Sequence, residues 1–477
     1  MKRLKKVDLD NREEYQKRLE YYRSVLKRKR LHMRAADSVK FHQAVCAAGG
    51  GMTTWRVREE VFLYVWLPVL TEYVEWVLEE AVKNGEKRLY FLARDGYMMY
   101  LMAKKLVKAR GIDLDVRYLK ISRFSIRNAE YYIVGKAALN TLCVGGIDIS
   151  FEKIMKRANL TEEEALHIAR LAGYTEKYTT VLSYRQLCTL KKELAGIEEL
   201  FAYIKRHAES CYNTTVSYLR QEGLLEETSY ALVDSGWVGT LQLSLQRVLE
   251  YEKAGKVRLQ GYYFGLYARP EGTDAGQYRA FYFGEREVLR KIRFSNCLFE
   301  TVFSAPEGMT QGYRLKEQGQ EESVYEAVEN GSRNPNADVM EHFVKLLMQY
   351  VSCYGMTGDG KGAAPHKKRV SFVESLLKYM MGNPTQWEAD AFGELLFCDD
   401  VLELQLQPVA ACWDEEELYK QRFFNKILIR LNLKSGILHE SAWAEGSIAR
   451  YGKKTGSHMR QERLYKSFMY LRKAIYK

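Results

Sequence analysis

The sequence predicts an α/β protein with a parallel sheet, an inserted helical cap and a mostly helical C-terminal region. Two stretches predict the sheet, because each combines a short apolar run, a glycine-containing loop and an amphipathic helix; they begin at Arg88 and at Tyr230. Between them, residues 151–222 have a helical spacing of apolar residues and predict the cap. Alternating strands and helices are typical of parallel sheets, since parallel strands need crossover connections.

Length and composition indicate a globular protein with more than one structural unit. The chain has 477 residues, 47% of them hydrophobic, with 34 glycines but only 7 prolines. Its eight cysteines are spread singly without a C-x-x-C pair, which predicts reduced cysteines in a cytoplasmic protein. The charged N-terminus lacks the apolar segment of a secretory signal. No uninterrupted apolar run reaches membrane-spanning length, and we interpret the nearest, Val61–Leu70, as core.

The formal charge of +12 is concentrated at the two ends of the chain. Lys and Arg outnumber Asp and Glu by 14 to 6 in residues 1–40 and by 9 to 2 in residues 441–477. Basic helices of this kind either present solvated faces or bind anionic partners. The termini are therefore candidates for docking on a membrane surface or a protein partner, and we do not expect nucleic-acid binding.

Residues 53–150 predict the first half of the sheet, after a basic N-terminal helical segment over residues 1–52. A 3.6-residue apolar stripe predicts a helix, and short continuous apolar runs predict buried strands. The predicted elements are, in order, the helix Thr71–Lys83, the strand Arg88–Ala93, the helix Tyr97–Lys108 and the strand Val116–Ile121. Together they form one β-α-β unit, since the two strands are joined through a helix.

The helical cap is predicted over residues 151–222, and the second half of the sheet over residues 223–315. A Thr161-x-x-Glu164 capping box begins one cap helix, and a second runs from about Ile197 to Leu219. The second half repeats the order of strand, loop and helix, followed by another strand. The predicted elements are the strand Tyr230–Val233, the helix Leu241–Leu249 and the strand Val257–Gly265.

The remainder, residues 316–477, predicts a helical region with a basic tail. Residues 276–313 are rich in aromatic residues and turns. Residues 316–340 are polar, so we interpret them as a surface loop or linker. From residue 341 onward helical spacing predominates.

The loop after the second strand is the strongest candidate for a ligand site. We predict that Ser235, Gly236, Gly239 and Thr240 bind the substrate. The two glycines allow the backbone to approach an anion closely, the following helix offers free N–H groups, and Thr240 adds a hydroxyl. Asp234, at the strand tip, is a candidate catalytic residue that holds sugar hydroxyls or a metal ion, with Mg2+ as the candidate cofactor. The alternative is an ordinary turn in which Asp234 or Ser235 caps the helix.

A matching loop follows the first strand. Arg94 and Gly96 are candidate substrate-binding residues, and Asp95 is a candidate catalytic base or a helix cap. Ser122 and Arg123, at the tip of the adjacent strand, bring a second guanidinium toward the same place. Because the carboxyl ends of parallel strands lie at one edge of a sheet, we expect both loops to line a single cleft.

Two further candidates have structural alternatives. Trp237 either stacks on a base or sugar or plugs the end of the sheet. Glu300 lies in an aromatic stretch, where a buried carboxylate needs a partner. It is a candidate catalytic base or metal ligand, or else pairs with one of the arginines Arg286, Arg290 and Arg293.

Between residues 55 and 313 the chain contains the motifs W-V-L-E-E-A-V-K-N-G-E-K-R-L-Y-F-L-A-R-D-G-Y, Y-L-K-I-S-R, V-D-S-G-W-V-G-T-L-Q and F-E-T-V-F-S-A-P-E-G, followed by Gly312-Tyr313. Through them it resembles the C-terminal part of predicted bacterial haloacid-dehalogenase-like (HAD superfamily) proteins found with surface-polysaccharide genes. The resemblance implies a hydrolase or transferase in envelope polysaccharide metabolism. The D-x-D-x-T motif of the dehalogenase-like part is absent from this sequence, so no aspartyl nucleophile is expected.

A weaker resemblance is to type I phosphoribosyltransferases, in which an arginine- and glycine-containing loop and a glycine/threonine phosphate loop follow two strands. Arg94–Gly96 matches the first loop and Asp234 with Gly239-Thr240 the second, but Val233 stands where that family has another acidic residue. We therefore expect a Rossmann-like or phosphoribosyltransferase-like sheet and an enzyme that binds a phosphorylated sugar or nucleotide. The alternative is a non-catalytic scaffold that docks on a membrane or on glycan-assembly enzymes through its basic termini.

Overall fold

A five-stranded parallel sheet forms the centre of the protein, as the sequence predicts, with strand order β2-β1-β3-β4-β5. The computed structural model describes residues 2–46, 52–145, 149–316, 324–331, 333–355, 364–398, 406–431 and 433–475. Two short antiparallel pairs, β6-β7 and β8-β9, lie outside the sheet. The strands are β1 (Arg88–Leu92), β2 (Asp115–Leu119), β3 (Tyr230–Asp234), β4 (Gln260–Gly265), β5 (Tyr278–Phe283), β6 (Thr310–Leu315), β7 (Tyr325–Glu329), β8 (Leu396–Phe397) and β9 (Gln407–Pro408).

Helices cover both faces of this Rossmann-like sheet and fill the C-terminal region. Those before β3 are α1 (Lys2–Lys27), α2 (Arg30–Cys46), α3 (Thr54–Val61), α4 (Leu67–Asn84), α5 (Tyr97–Arg110), α6 (Arg123–Val134), α7 (Leu139–Leu142), α8 (Phe151–Arg157), α9 (Glu162–Leu171), α10 (Tyr184–Leu194) and α11 (Glu198–Gln221). Those after β3 are α12 (Thr240–Glu252), α13 (Val288–Ile292), α14 (Asn296–Phe303), α15 (Ala337–Gly355), α16 (His366–Met380), α17 (Gln386–Gly393), α18 (Glu415–Lys420), α19 (Phe423–Arg430), α20 (Ala444–Tyr451) and α21 (Thr455–Ile475).

Strand β1 shows why these apolar runs form a central sheet. Successive side chains of a strand point to opposite faces, so Leu89 and Phe91 join the core beneath α4 and α5. Tyr90 and Leu92 join the core on the other face, beneath α6, α11 and α12. All four are buried. A strand covered on both faces needs apolar residues at every position, which is the continuous pattern in the sequence.

The segments α3 and α4 are joined by a π turn, Phe62–Trp66, into one helix, Thr54–Asn84. This helix is long and apolar enough to cross a membrane by length and composition, but its most apolar window is completely buried inside the protein. The interpretation of Val61–Leu70 as core is therefore confirmed. The predicted helix Thr71–Lys83 is the last part of this longer helix. Pro68 is the second residue of α4 and lies directly after the π turn. The regular helical hydrogen-bond pattern is already interrupted there, so the missing N–H of the proline is tolerated.

The helical cap has a hydrophobic core of its own. Apolar residues from Tyr131 to Ala208 form this second core, so it includes residues that precede the predicted cap, 151–222. Helix α6, which starts at Arg123 after β2, leads into this core. Its first turns pack on the sheet through Ile126 and Ala129. Its last turn enters the cap, so one helix serves both cores.

The basic N-terminal helical segment forms two helices, α1 and α2. An apolar stripe of α1 packs on the body, since Tyr15, Leu19 and Tyr22 are buried. Several of the basic residues make ion pairs within the protein, and these are Arg18–Glu388 at 3.5 Å, Lys29–Glu72 at 2.7 Å and Lys40–Glu60 at 2.5 Å. Part of the N-terminal charge is thus used to attach these helices to the body.

The prediction of a surface loop over residues 316–340 is wrong in part. Within its described residues, β7 pairs with β6 in an antiparallel hairpin and α15 begins at Ala337. The hairpin lies against the outer edge of one core, where every residue of β7 is only half-buried, so its polar composition resembles that of a loop. The C-terminal helices α15, α16, α17 and α20 share one core with the sheet and α4.

Candidate functional site

The carboxyl ends of β1 and β3 lie side by side at the point where the strand order reverses. The chain passes from β1 to β2 on one side and then to β3 on the other, and open α/β sheets bind ligands at such a switch point. A cavity of about 530 Å3 lies there. Its lining includes Arg94, Asp95, Ser122, Arg123, Arg127, Asp234, Gly236, Trp237, Gly239, Thr240 and Glu300. The two loops therefore line one cleft, as expected from the sequence.

The structure brings the three candidate catalytic carboxyl groups, Asp95, Asp234 and Glu300, to the same cavity. Ser235 connects two of them. Its backbone N–H donates to Asp234 Oδ1 at 2.8 Å and its hydroxyl donates to Asp95 Oδ2 at 2.7 Å. Because Ser235 is completely buried, it positions the carboxylates from behind the cavity wall. The sequence analysis had placed this residue among the substrate contacts.

Burial and charge repulsion keep protons on Asp234 and Glu300 near neutral pH. Burial, with a contribution from the negative charge of Asp95, raises the pKa of Asp234 to about 8. The N–H of Ser235 and the charge of Arg123 act in the opposite direction. Burial likewise raises the pKa of Glu300, again with a contribution from Asp95. At neutral pH the site therefore holds carboxyl groups that can donate protons.

Trp237 plugs the end of the sheet instead of offering a free stacking surface. Its side chain is only 8% exposed and packs against the rings of Phe283, Phe294 and Phe299. Its indole N–H donates to Glu300 Oε1 at 2.5 Å. This bond, and not an ion pair with Arg286, Arg290 or Arg293, is the contact that orients the Glu300 carboxyl group.

Replacing Trp237 by phenylalanine should raise the pKa of Glu300. The ring packing is retained, but the N–H that favours the ionised carboxylate is lost, and one charge-assisted hydrogen bond corresponds to about one pKa unit. Infrared difference spectroscopy across a pH titration measures the protonated carboxyl band directly, and Glu300→Gln assigns it. An unchanged midpoint in Trp237→Phe would mean that the indole does not stabilise the carboxylate.

Basic groups also line the cavity. Arg123 and Arg127 follow β2 on one face of α6, since they are four residues apart, and Arg127 Nη2 donates to Thr240 Oγ1 at 3.3 Å. Among the described residues, the buried Arg127 Nε has no hydrogen-bond partner. Burial lowers the pKa of Arg127, and the nearby Arg123 lowers it further. Two neighbouring guanidinium groups favour an anionic ligand, which can also accept a hydrogen bond from Arg127 Nε.

Arg127 is not among the site residues predicted from the sequence, which include its neighbours Ser122 and Arg123. The signal was the spacing R-x-x-x-R, which puts a second guanidinium one helical turn beyond the strand tip. Ser122 itself caps α6 and donates its hydroxyl to the backbone oxygen of Thr310 at 2.6 Å. It therefore holds α6 in place while lining the cavity.

The glycines of the two loops allow the backbone to pack closely against other parts of the protein, and not only against a ligand. Gly236 has φ of 146°, and a Cβ there would lie 2.2 Å from the backbone oxygen of Gly265. Gly239 has φ of 70° and precedes the first turn of α12. Gly96 is buried, and a Cβ there would lie 2.4 Å from the backbone oxygen of Leu92. Gly96 is thus required for packing of α5 on β1.

The C-terminal region completes the cavity with residues that no local sequence signal marks. Asn334 and Asn336 line it together with Leu396 and Phe397. Asn334 Nδ2 donates to Ser304 Oγ at 3.1 Å, and Asn336 Nδ2 donates to the backbone oxygen of Leu396 at 2.7 Å. Through these two side-chain amides, the segment that contains Ser304 is connected to β8.

The fit of a metal ion to the site depends on Asp95 and Asp234. Among the described residues there is no group of three His, Cys, Asp or Glu side chains placed to hold a metal. Two adjacent carboxylates nevertheless fit Mg2+, which is commonly held by one or two carboxylates and completed by phosphate oxygens and water. The unfavourable proximity of the charges on Asp95 and Asp234 is what a dication would relieve.

No protein-family model matches the chain, and no curated protein matches it significantly in sequence.

Proposed function

We propose that the protein is an enzyme that binds a phosphorylated sugar or nucleotide and catalyses phosphoryl or phosphoribosyl-type transfer or hydrolysis. The observation that carries the proposal is that three carboxyl groups, Asp95, Asp234 and Glu300, and two neighbouring arginines, Arg123 and Arg127, line one cavity. The resemblance to HAD-like proteins of surface-polysaccharide gene clusters supports a sugar phosphate in envelope polysaccharide metabolism.

In this proposal the phosphate lies between α6 and the N-terminus of α12. Arg123 and Arg127 neutralise its charge, and the unpartnered Arg127 Nε donates one of the hydrogen bonds. Thr240 begins α12, where free N–H groups and the positive end of the helix dipole favour an anion. Arg94 reaches the same cavity from β1.

The carboxyl groups supply proton transfer and hydroxyl contacts. The Ser235 hydroxyl donates a hydrogen bond to Asp95, an arrangement that suits an ionised general base. Asp95 removes a proton from the attacking water or hydroxyl. Asp234, protonated at neutral pH, gives its proton to the oxygen that leaves the transferred group. Glu300, held by Trp237, hydrogen-bonds a hydroxyl of the substrate.

A Mg2+ ion, when bound, would be held by Asp95 and Asp234 and would stabilise the charge of the phosphate oxygens. Binding of the ion must release the proton of Asp234, so Asp234 would act as the general acid only in the site without the ion. The affinity for Mg2+ should therefore increase as the pH rises toward 8.

Replacing Arg127 by methionine should weaken the binding of a sugar phosphate by about 100-fold, because charge-assisted hydrogen bonds contribute about 1.5–3 kcal/mol each. Isothermal titration calorimetry with glucose 1-phosphate and with a nucleoside monophosphate measures the change. The matched control is Arg185→Met, which removes one exposed positive charge from cap helix α10. Release of inorganic phosphate, with and without Mg2+, measures turnover.

Wild-type protein that binds neither compound would contradict the proposed function. Equal affinities of wild type, Arg127→Met and Arg185→Met would show that the ligand binds elsewhere.

A further inference from the structure

Two C-terminal helices carry apolar side chains that face solvent. On α19, Phe424 is 75% exposed and Leu428 is 38% exposed. On α21, Leu464, Phe468 and Leu471 are 54%, 42% and 55% exposed. We call these five residues the C-terminal apolar face. Single exposed apolar residues are common on proteins, but a contiguous group marks an interaction site.

The face is continuous across the two helices. The ring of Phe423 lies 5.9 Å from that of Phe468 and 5.1 Å from that of Phe424, so it joins the two rows. Leu464 and Leu471 lie one helical turn before and after Phe468, and Leu428 lies one turn after Phe424. The result is one surface built from the same side of two neighbouring helices.

Buried ion pairs fix the inner faces of α19 and α21. Lys426 of α19 donates to Glu462 of α21 at 2.9 Å, and both side chains are buried. Lys466 of α21 donates to the buried Glu445 of α20 at 2.7 Å. Because these pairs fix the inner faces, the outward direction of the apolar residues is a stable feature of the fold.

The exposed charges on the two helices themselves are basic. The sequence of α19 contains no acidic residue, and the only acidic residue of α21 is Glu462, which is buried. Arg460 and Arg472 are exposed at either end of the α21 row. An anionic surface would therefore meet attractive charges and no exposed carboxylate of these two helices.

We propose that the C-terminal apolar face docks the protein on an anionic phospholipid surface. Aromatic and leucine side chains enter the interface between headgroups and acyl chains, and the flanking arginines bind lipid phosphates. A second copy of the chain fits less well, because a symmetric contact would bring Arg460 and Arg472 of both copies together. This docking surface is independent of the proposed catalytic function.

Flotation of the full-length protein with lipid vesicles tests the proposal. We expect binding to vesicles of phosphatidylcholine with about one third phosphatidylglycerol, weak binding to phosphatidylcholine alone, and a loss of binding as salt rises. The double variant Phe424→Ser/Leu464→Ser should bind at least about tenfold more weakly, because two apolar side chains leave the interface. Its matched control is Tyr184→Ser/Leu166→Ser, which replaces exposed residues of cap helices α9 and α10.

Equal flotation of the test and control variants would overturn the proposal, as would binding that ignores phosphatidylglycerol. Sedimentation velocity without lipid gives the second outcome: a concentration-dependent dimer that Phe424→Ser/Leu464→Ser abolishes, without any vesicle binding by the wild type, would identify a second copy as the occupant. Loss of vesicle binding with unchanged sugar-phosphate affinity is the expected result.

Discussion

Replacement of Asp234 by asparagine will stabilise the protein at pH 8 while abolishing its turnover. The pKa of Asp234 is raised from 3.8 to about 8, so the folded protein keeps a proton that the unfolded chain releases. The stabilisation that this group contributes is therefore fully present below pH 4 and is lost progressively as the pH rises toward 8. Asparagine resembles the protonated acid at every pH.

The free energy of unfolding, measured by urea denaturation between pH 5 and 9, should thus decline less steeply in Asp234→Asn than in the wild type. Asp113→Asn, which changes a 97% exposed carboxylate, is the control and should leave the slope unchanged. Turnover of the proposed substrate should fall by about 100-fold or more, because general acid catalysis contributes at least that much. Parallel pH profiles for wild type and Asp234→Asn would show that this carboxyl group ionises normally.

Replacement of Gly236 by alanine should destabilise the fold by about 3 kcal/mol or more. The new Cβ would lie 2.2 Å from the backbone oxygen of Gly265, and the two strands cannot separate freely, because Gly265 N–H donates to the Ser235 oxygen at 3.1 Å. The positive φ adds a cost of about 1–2 kcal/mol for a residue with a side chain. Urea unfolding midpoints measure the loss.

Gly85→Ala is the matched control for this change. Gly85 also has a positive φ, 73°, but no atom lies within 4 Å of a Cβ built there, so its replacement should cost only about 1 kcal/mol. If both variants lost the same stability, the close approach between Gly236 and Gly265 would have no energetic importance.

The sheet and its strand tips were predictable because their signals are local. The runs before Arg94 and Asp234 are continuously apolar, and each loop follows its strand directly. The parallel order then forces the two loops to one edge, which is why Asp95 and Asp234 were expected to share a cleft. The helix capping box at Thr161 was equally local and is confirmed.

The rest of the site depends on packing that joins distant parts of the chain. Asn334 and Leu396 reach the cavity only because the C-terminal helices share a core with the sheet. The partner of Glu300 could not be read from neighbouring arginines, since Trp237 lies 63 residues earlier in the chain. Arg127 was predictable in principle from its spacing with Arg123.

The attachment of α1 to α17 has a consequence for protein synthesis. The Tyr22 hydroxyl donates to Glu388 Oε1 at 2.6 Å, across a sequence separation of 366 residues, and Tyr22 is completely buried. A ribosome adding about 5–20 residues per second needs roughly 20–70 s to make that partner. During this time the apolar stripe of α1 lacks its docking surface on α17, which makes the nascent chain a candidate for chaperone binding until the region around Glu388 has emerged.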